Sequence, residues 1–134
     1  MRLRLICLLV CALLTGPLPF AVAHAAAGDV ISAVVGVHAE VPGDARTAGS
    51  LGTERSGTGV VIDSSGLVLT IGYLVIEASG IELRDAHGKT APAELVGYDH
   101  DTGLGLVRAT TPLDVKPMPL GDSAAVALGD PLLV

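Results

Sequence analysis

Short apolar runs separated by turn-forming residues recur along the chain, a pattern typical of proteins built from strands. The first run, Val30 to Ala39, is rich in valine and is predicted to form a strand. Two further runs, Gly59 to Ile62 and Leu67 to Thr70, flank the sequence Asp63-Ser64-Ser65-Gly66. Because glycine readily adopts a positive φ, this sequence predicts a hairpin turn between two neighbouring strands.

The second half of the chain continues this pattern. Its predicted strands are Ile81 to Arg84, Thr90 to Val96 and Leu104 to Arg108. Pro92 lies within the second of these, and a proline in a strand indicates a sheet edge or a bulge.

Two segments between the strands are predicted to have other structures. Val41 to Ser56 is rich in Gly, Ala, Thr and charged residues, which indicates a surface loop. Tyr73 to Ala78 is predicted to form a single helical turn that Gly80 ends.

The number and close spacing of the strands predict an all-β fold, either a small Greek-key barrel or a sandwich. The chain of 134 residues suits one domain. Half of its residues are apolar, but it has one Phe, two Tyr and no Trp. The core is therefore predicted to be aliphatic.

The first 25 residues have the composition of a secretory signal. Arg2 and Arg4 precede an apolar core from Leu5 to Leu14, and Ala23-His24-Ala25 has the small-x-small form that signal peptidase accepts. An uncleaved membrane anchor is the alternative. We prefer the cleaved signal because the unbroken apolar core is shorter than the roughly 20 residues that a membrane span needs.

Cleavage after Ala25 would define residues 1–25 as the signal peptide and 26–134 as the mature domain of a secreted or periplasmic protein. Both cysteines, Cys7 and Cys11, would be removed, which leaves no disulfide or thiolate site. Six basic and fourteen acidic residues would remain, a net charge of −8. This charge argues against nucleic acid as a partner and against adsorption to an anionic membrane.

Three blocks of the mature chain stand in an order and spacing that point to a known family. Ser56 to Val75 begins with Ser-Gly-Thr-Gly, continues through a strand ending in Thr70 and reaches Ile71-Gly72-Tyr73-Leu74-Val75. Glu94 to Val107 and Pro119 to Asp130 are the other two blocks. Together they resemble the HtrA/Deg-type trypsin-like serine proteases. The resemblance implies the first, six-stranded Greek-key barrel of an incomplete trypsin-like double barrel.

The resemblance also implies that two catalytic positions are substituted. Tyr73 occupies the position of the family's general-base histidine, and a phenol holds its proton near neutral pH. Gly103 occupies the position of the aspartate that orients the histidine, and glycine has no carboxylate. The family's nucleophilic serine lies in its second barrel, beyond Val134. We therefore expect no catalytic residue, because triad members act as a unit.

Other reactive side chains are interpreted as structural. His100 stands between Asp99 and Asp101, which suggests a general base, but such residues are typical of solvated turns. Tyr73 is expected to pack against the domain rather than to face a shallow cleft. The remaining histidines and serines considered have no partner nearby in the sequence: His38, His87, Ser64, Ser65 and Ser123. No cofactor or metal site is predicted, and Gly57-Thr58-Gly59 lacks the helix and lysine of a phosphate loop.

Three interpretations of function follow. The first is a secreted, catalytically inactive domain that binds or scaffolds a protein partner through an exposed face of the barrel. The second is a truncated part of a serine endopeptidase of envelope protein quality control, and the third is a pseudogene product. We prefer the first, because Tyr73 and Gly103 would disable the triad even in a longer chain.

Overall fold

Six antiparallel strands close into a barrel in the computed structural model, which describes residues 31–130. The strands are β1 (Val34–Glu40), β2 (Glu54–Val61), β3 (Leu67–Ile71), β4 (Gly80–Arg84), β5 (Thr90–Tyr98) and β6 (Leu104–Ala109). Their order around the barrel is β1-β2-β3-β6-β5-β4. Two one-turn helices lie between strands, α1 (Ala48–Leu51) and α2 (Gly72–Val75), and a 3-10 helix (Ser123–Ala125) follows the barrel. The predicted all-β barrel is confirmed.

The alternation of side chains along each strand fills the barrel with aliphatic residues. In β1, Val35, Val37 and Ala39 are buried, and the residues between them lie on the outer surface. Among the described residues, the largest fully buried side chains are leucines and valines: Leu74, Leu83, Val35, Val37, Val61, Val68, Val75 and Val107. The core is aliphatic, as the composition predicted.

The turn between β2 and β3 has the predicted chemistry. The Ser65 backbone N–H donates to Asp63 Oδ1 at 2.6 Å, and the Gly66 N–H donates to the Asp63 carbonyl at 3.1 Å. Gly66 has a φ of +81°, in the left-handed region that glycine adopts without strain. Hydrogen bonds from the Ser65 side chain and then its N–H lower the pKa of Asp63, so the turn favours the carboxylate form.

The loop predicted over Val41 to Ser56 is wrong at its carboxyl end, because β2 already begins at Glu54. Within the remaining loop the chain forms α1.

The first residues of β2 are polar for two different reasons. Glu54 and Ser56 are exposed, whereas Arg55 is only 4% exposed and is satisfied by hydrogen bonds to distant parts of the chain.

Pro92 lies neither on an edge strand nor at the bulge. In the closed barrel β5 is paired on both sides, and its irregularity falls between Leu95 and Gly97. The carbonyl of Pro92 accepts a hydrogen bond from the Thr110 N–H at 2.8 Å, just beyond β6. The ladder between β5 and β6 begins only at Ala93, so no strand partner requires the N–H that proline lacks.

The predicted helical turn is present but begins one residue earlier, at Gly72, and the chain is extended again at Ile76. The predicted signal peptide (1–25), Val30 and residues 131–134 lie outside the described residues. Within residues 31–130, no helix has both the length and the apolar character needed to cross a membrane.

Candidate active-site region

The barrel brings the two predicted triad positions together. Tyr73 lies in α2, directly after β3, and Gly103 immediately precedes β6. Ile71 and Leu104 are register partners in the β3–β6 ladder, and the Gly72 N–H donates to the Gly103 carbonyl at 2.7 Å. A base at position 73 and a carboxylate at position 103 would therefore be neighbours. This chain has a tyrosine at position 73 and a glycine at position 103.

Tyr73 is only partly packed, whereas the sequence predicted that it packs against the domain. Its side chain is 47% exposed, whereas the adjacent Leu74 and Val75 are fully buried. One turn of helix directs successive residues to different sides. Since Leu74 and Val75 fill the barrel interior, Tyr73 faces outward.

A tight turn presents Gly103 at the start of β6. The Asp99 carboxylate accepts hydrogen bonds from the Thr102 hydroxyl at 2.6 Å and from the Asp101 N–H at 3.0 Å. These bonds, the one from Thr102 foremost, lower the pKa of Asp99. Gly103 has a φ of +72°, and a Cβ on it would meet nothing within 4 Å. An aspartate at position 103 would have space, but its backbone would have to adopt a conformation that favours glycine.

The ring of Tyr98 occupies the space beside Gly72. A Cβ on Gly72 would lie 1.8 Å from Tyr98 Cε2 and 2.9 Å from the Gly103 carbonyl oxygen. The Tyr98 ring also meets the His100 ring edge-to-face, with ring centroids 4.5 Å apart. His100 is exposed in the turn, in agreement with its interpretation as a solvated turn residue.

Arg55 anchors the helical turn that carries Tyr73. Its Nη1 donates to the carbonyl oxygens of Tyr73 at 2.7 Å, within α2, and of Ile76 at 3.1 Å, directly after α2. Its Nε donates to the Gly52 carbonyl at 3.2 Å, and its Nη2 donates to Thr47 Oγ1 at 2.8 Å. The side chain therefore fixes α2 against the loop that contains α1. Sequence reasoning missed this residue.

Thr47 extends the same network to Glu77. The Glu77 carboxylate accepts hydrogen bonds from the Thr47 hydroxyl and from the Thr47 N–H at 2.9 Å, and these bonds lower the pKa of Glu77. Glu77 has a φ of +60°, which is uncommon for a residue with a side chain. The two hydrogen bonds hold the chain in this conformation directly after α2.

Two other histidines have different surroundings. His87 lies in the turn between β4 and β5, where its N–H and that of Lys89 donate to Asp85 Oδ1 at 2.8 and 2.9 Å. His38, interpreted from the sequence as isolated, has a neighbour: its Nδ1 lies 3.1 Å from Ser56 Oγ. These residues are 18 positions apart in the sequence, and only the pairing of β1 with β2 brings them together. No metal-binding group of three or more His, Cys, Asp or Glu side chains occurs within residues 31–130.

Comparison with known proteins places this barrel in a family. The family model for the trypsin-like peptidase domain matches residues 57–134. The chain belongs to this family, and its relatives are of the HtrA type.

Among these relatives, the periplasmic serine endoprotease DegP of Salmonella typhimurium is 33% identical over 75 residues, covering 55% of this chain and 16% of DegP. The chloroplastic Protease Do-like 1 of Arabidopsis thaliana is 32% identical over 77 residues, covering 57% of this chain and 18% of that protein. The chain thus spans less than a fifth of the length of these curated relatives. The solved structure of the HtrA-type protease AlgW with a tripeptide superimposes with a TM-score of 0.65 and 23% identity, over 78% of this chain and 31% of AlgW.

Proposed function

We propose that this chain is a non-proteolytic, protein-binding member of the trypsin-like peptidase family. The observation that carries the proposal is the pair of residues at the juxtaposed positions 73 and 103. Tyr73 cannot serve as the base that deprotonates a serine near neutral pH, and Gly103 cannot orient such a base. In support, the Gly72 N–H donates to the Gly103 carbonyl at 2.7 Å, so position 73 directly follows a residue bonded to position 103. What the chain lacks at these two positions is an imidazole and a carboxylate.

The purified chain should not cleave protein substrates. In serine proteases, loss of the histidine base costs about as much activity as loss of the whole triad. Labelled casein should therefore be degraded no faster with the chain than in buffer. Casein turnover that a serine-directed inhibitor abolishes would overturn the proposal and make the protein an enzyme of the family's usual class.

An apolar surface on the outside of the barrel supports the binding role. We call it the outer apolar stripe; it runs over β3, β6 and β5 and consists of Leu69, Ile71, Val96, Leu104 and Leu106. Register pairs Leu69 with Leu106 and Ile71 with Leu104 across β3 and β6. A groove of about 410 Å³ adjoins the stripe and is lined by its Leu69, Leu104 and Leu106 together with Tyr98. The proposed partner is an apolar segment of another polypeptide, since such a segment would cover these side chains.

Charge placed in the outer apolar stripe should abolish this binding. Ile71→Lys/Leu104→Lys removes two partly exposed apolar side chains that face each other across the ladder. Each buried contact of this size contributes about 1.5 kcal/mol or more, so the dissociation constant should rise at least tenfold. Fluorescence anisotropy with labelled, reduced and carboxymethylated α-lactalbumin would measure it.

A matched control is Leu120→Lys/Leu128→Lys, which makes the same charge change at two exposed leucines outside the barrel. This control should bind as tightly as the unmodified chain. Equal losses in both double variants, or absence of binding by the unmodified chain, would contradict a role for the stripe.

The proposal includes export to a secreted or periplasmic location. Its support is the signal-like residues 1–25 and the periplasmic relative DegP named above. Mass spectrometry of the exported protein should show an amino terminus near Ala26. Recovery of the chain with Met1 in a membrane fraction would refute this part of the proposal.

A second candidate function is proteolysis by a longer protein of which this barrel is one part. The observation in its favour is that relatives named as periplasmic serine endoproteases are matched over only 16% of their length. Sequencing of the transcript beyond codon 134 would test it. A continuous frame encoding a Gly-Asn-Ser-Gly-Gly-like segment would favour this candidate, and an immediate stop codon would exclude it.

A further inference from the structure

Three polar side chains form a row across the outside of the barrel, on the face made by β2, β1 and β4. Ser56 of β2 is the register partner of His38 of β1, and His38 is in turn the register partner of Glu82 of β4. Register partners in antiparallel strands carry their side chains on the same face, about 4.5–5.5 Å apart at Cβ. The barrel therefore sets a serine and a carboxylate on either side of one imidazole.

The serine and the histidine are in hydrogen-bond contact, and both can be reached from solvent. Ser56 Oγ and His38 Nδ1 are 3.1 Å apart, which is within the reach required of a base and the proton it removes. Ser56 is exposed and His38 is half-buried. A groove of about 460 Å³ runs beside them, lined by Gly36, Gly57 and Glu82 among others. Gly36 has no side chain to fill this groove, so a small molecule can approach Ser56 Oγ.

We propose that Ser56 is a nucleophile for acyl transfer from activated esters, with His38 as its general base. The Ser56 oxygen attacks the ester carbonyl while its proton passes to His38 Nδ1. The bond from the carbonyl carbon to the leaving oxygen then breaks, and the leaving group departs as an alkoxide or phenolate that takes the proton from the imidazolium. The products are an acyl ester of Ser56, the free alcohol and a neutral His38, so atoms and charge balance.

Glu82 has an accessory role in this step. Its carboxylate lies on the strand next to His38 and would favour the imidazolium that forms when the proton is transferred. Its effect is limited, because the Glu82 side chain is 46% exposed and lies 4.0 Å from the Arg84 guanidinium, which competes for its charge. Amides are not proposed as donors, since their cleavage depends on strong stabilisation of the oxyanion. Aryl esters carry better leaving groups and are the expected class of donor.

This inference is independent of the proposed binding function. Ser56 and His38 lie on β2 and β1, whereas the outer apolar stripe lies on β3, β6 and β5. Loss of ester reactivity would leave polypeptide binding unchanged, and the reverse also holds.

The test is to treat the purified chain with p-nitrophenyl acetate and to map acetylated residues by peptide mass spectrometry over time. Ser56 should be acetylated at least tenfold faster than Ser64, an exposed serine of the β2–β3 turn in the same molecule. His38→Gln should lower the Ser56 rate by at least tenfold, because positioned general bases contribute about 10²-fold or more. Glu82→Gln should lower it about two- to threefold.

His87→Gln is the matched control, since it removes an exposed histidine from a turn and should leave the Ser56 rate unchanged. Equal acetylation of Ser56 and Ser64 in the unmodified chain would overturn the inference. Unchanged labelling of Ser56 in His38→Gln would do the same. The comparison between the two serines needs no variant, so the test holds even if His38→Gln does not fold.

Discussion

Gly72→Ala is expected to destabilise the domain by about 3 kcal/mol, the upper part of the range for an overpacked site. The added methyl group would lie 1.8 Å from Tyr98 Cε2 and 2.9 Å from the Gly103 carbonyl oxygen. Neither distance is tolerable, so the Tyr98 ring and the turn at Gly103 must both move. Such a loss is a large fraction of the 5–15 kcal/mol that stabilises a typical domain. Urea unfolding followed by circular dichroism would measure it.

A double variant identifies the cause. In a Tyr98→Ala background the ring is absent, and Gly72→Ala should then cost only about 1 kcal/mol, because the Gly103 carbonyl remains in the way. Gly97→Ala is the matched control, since a Cβ on Gly97 meets nothing within 4 Å. If Gly72→Ala and Gly97→Ala have the same stability, the contact between Gly72 and Tyr98 is not as described.

The barrel could be predicted from the sequence because its determinants are local. Alternation in Ile81 to Arg84, and the turn chemistry of Asp63 to Gly66, each depend on residues a few positions apart. The aliphatic core follows directly from a composition with almost no aromatic residues. The assignment of Tyr73 and Gly103 to two triad positions rests on short blocks in the same way, and it stays a prediction. Their proximity is then a property of the β3–β6 ladder.

Other features could not be predicted because they depend on contacts between distant parts of the chain. In the sequence, Arg55 is one more polar residue of a predicted loop. Its hydrogen bonds depend on the position of α2, which brings the carbonyl oxygens of Tyr73 and Ile76 to its side chain. The contact between His38 and Ser56 depends on the register of β1 with β2, which a shift of one residue would destroy. The outward position of Tyr73 depends on which residues of a single helical turn enter the core. A local sequence pattern therefore predicts none of these three features.

The region around positions 73 and 103 is held in place by two independent sets of contacts. On one side, the Gly72 N–H and the Gly103 carbonyl join α2 to the turn before β6, with Tyr98 packed against both. On the other side, Arg55 joins the carbonyls of Tyr73 and Ile76 to the loop that contains α1. A scaffold that positions residue 73 is therefore present although the residue itself is a tyrosine. Binding through the neighbouring Ile71 and Leu104 would use the same rigid support.

Arg55→Met is the second change with a large expected effect. Methionine keeps much of the apolar stem but removes all donors to the carbonyls of Tyr73, Ile76 and Gly52. A buried acceptor left without a partner costs about 1–3 kcal/mol, and water can reach part of this site. We therefore expect a total loss of about 3 kcal/mol. Arg55→Lys should recover less than half of it, because an ammonium cannot reproduce the planar, divergent donors of a guanidinium.

The loss should be concentrated at α2, and this distinguishes anchoring from general destabilisation. Native-state hydrogen exchange should accelerate at the Ile76 N–H, which donates to the Gly72 carbonyl at 3.0 Å, by a larger factor than at the Leu69 N–H in β3. Arg84→Met is the matched control: its side chain is 66% exposed, and exposed ion pairs contribute about 1 kcal/mol or less. Stability in Arg55→Met equal to that of Arg84→Met would show that Arg55 does not anchor the turn. Equal acceleration of exchange at Ile76 and Leu69 would show that its contribution is spread over the whole barrel.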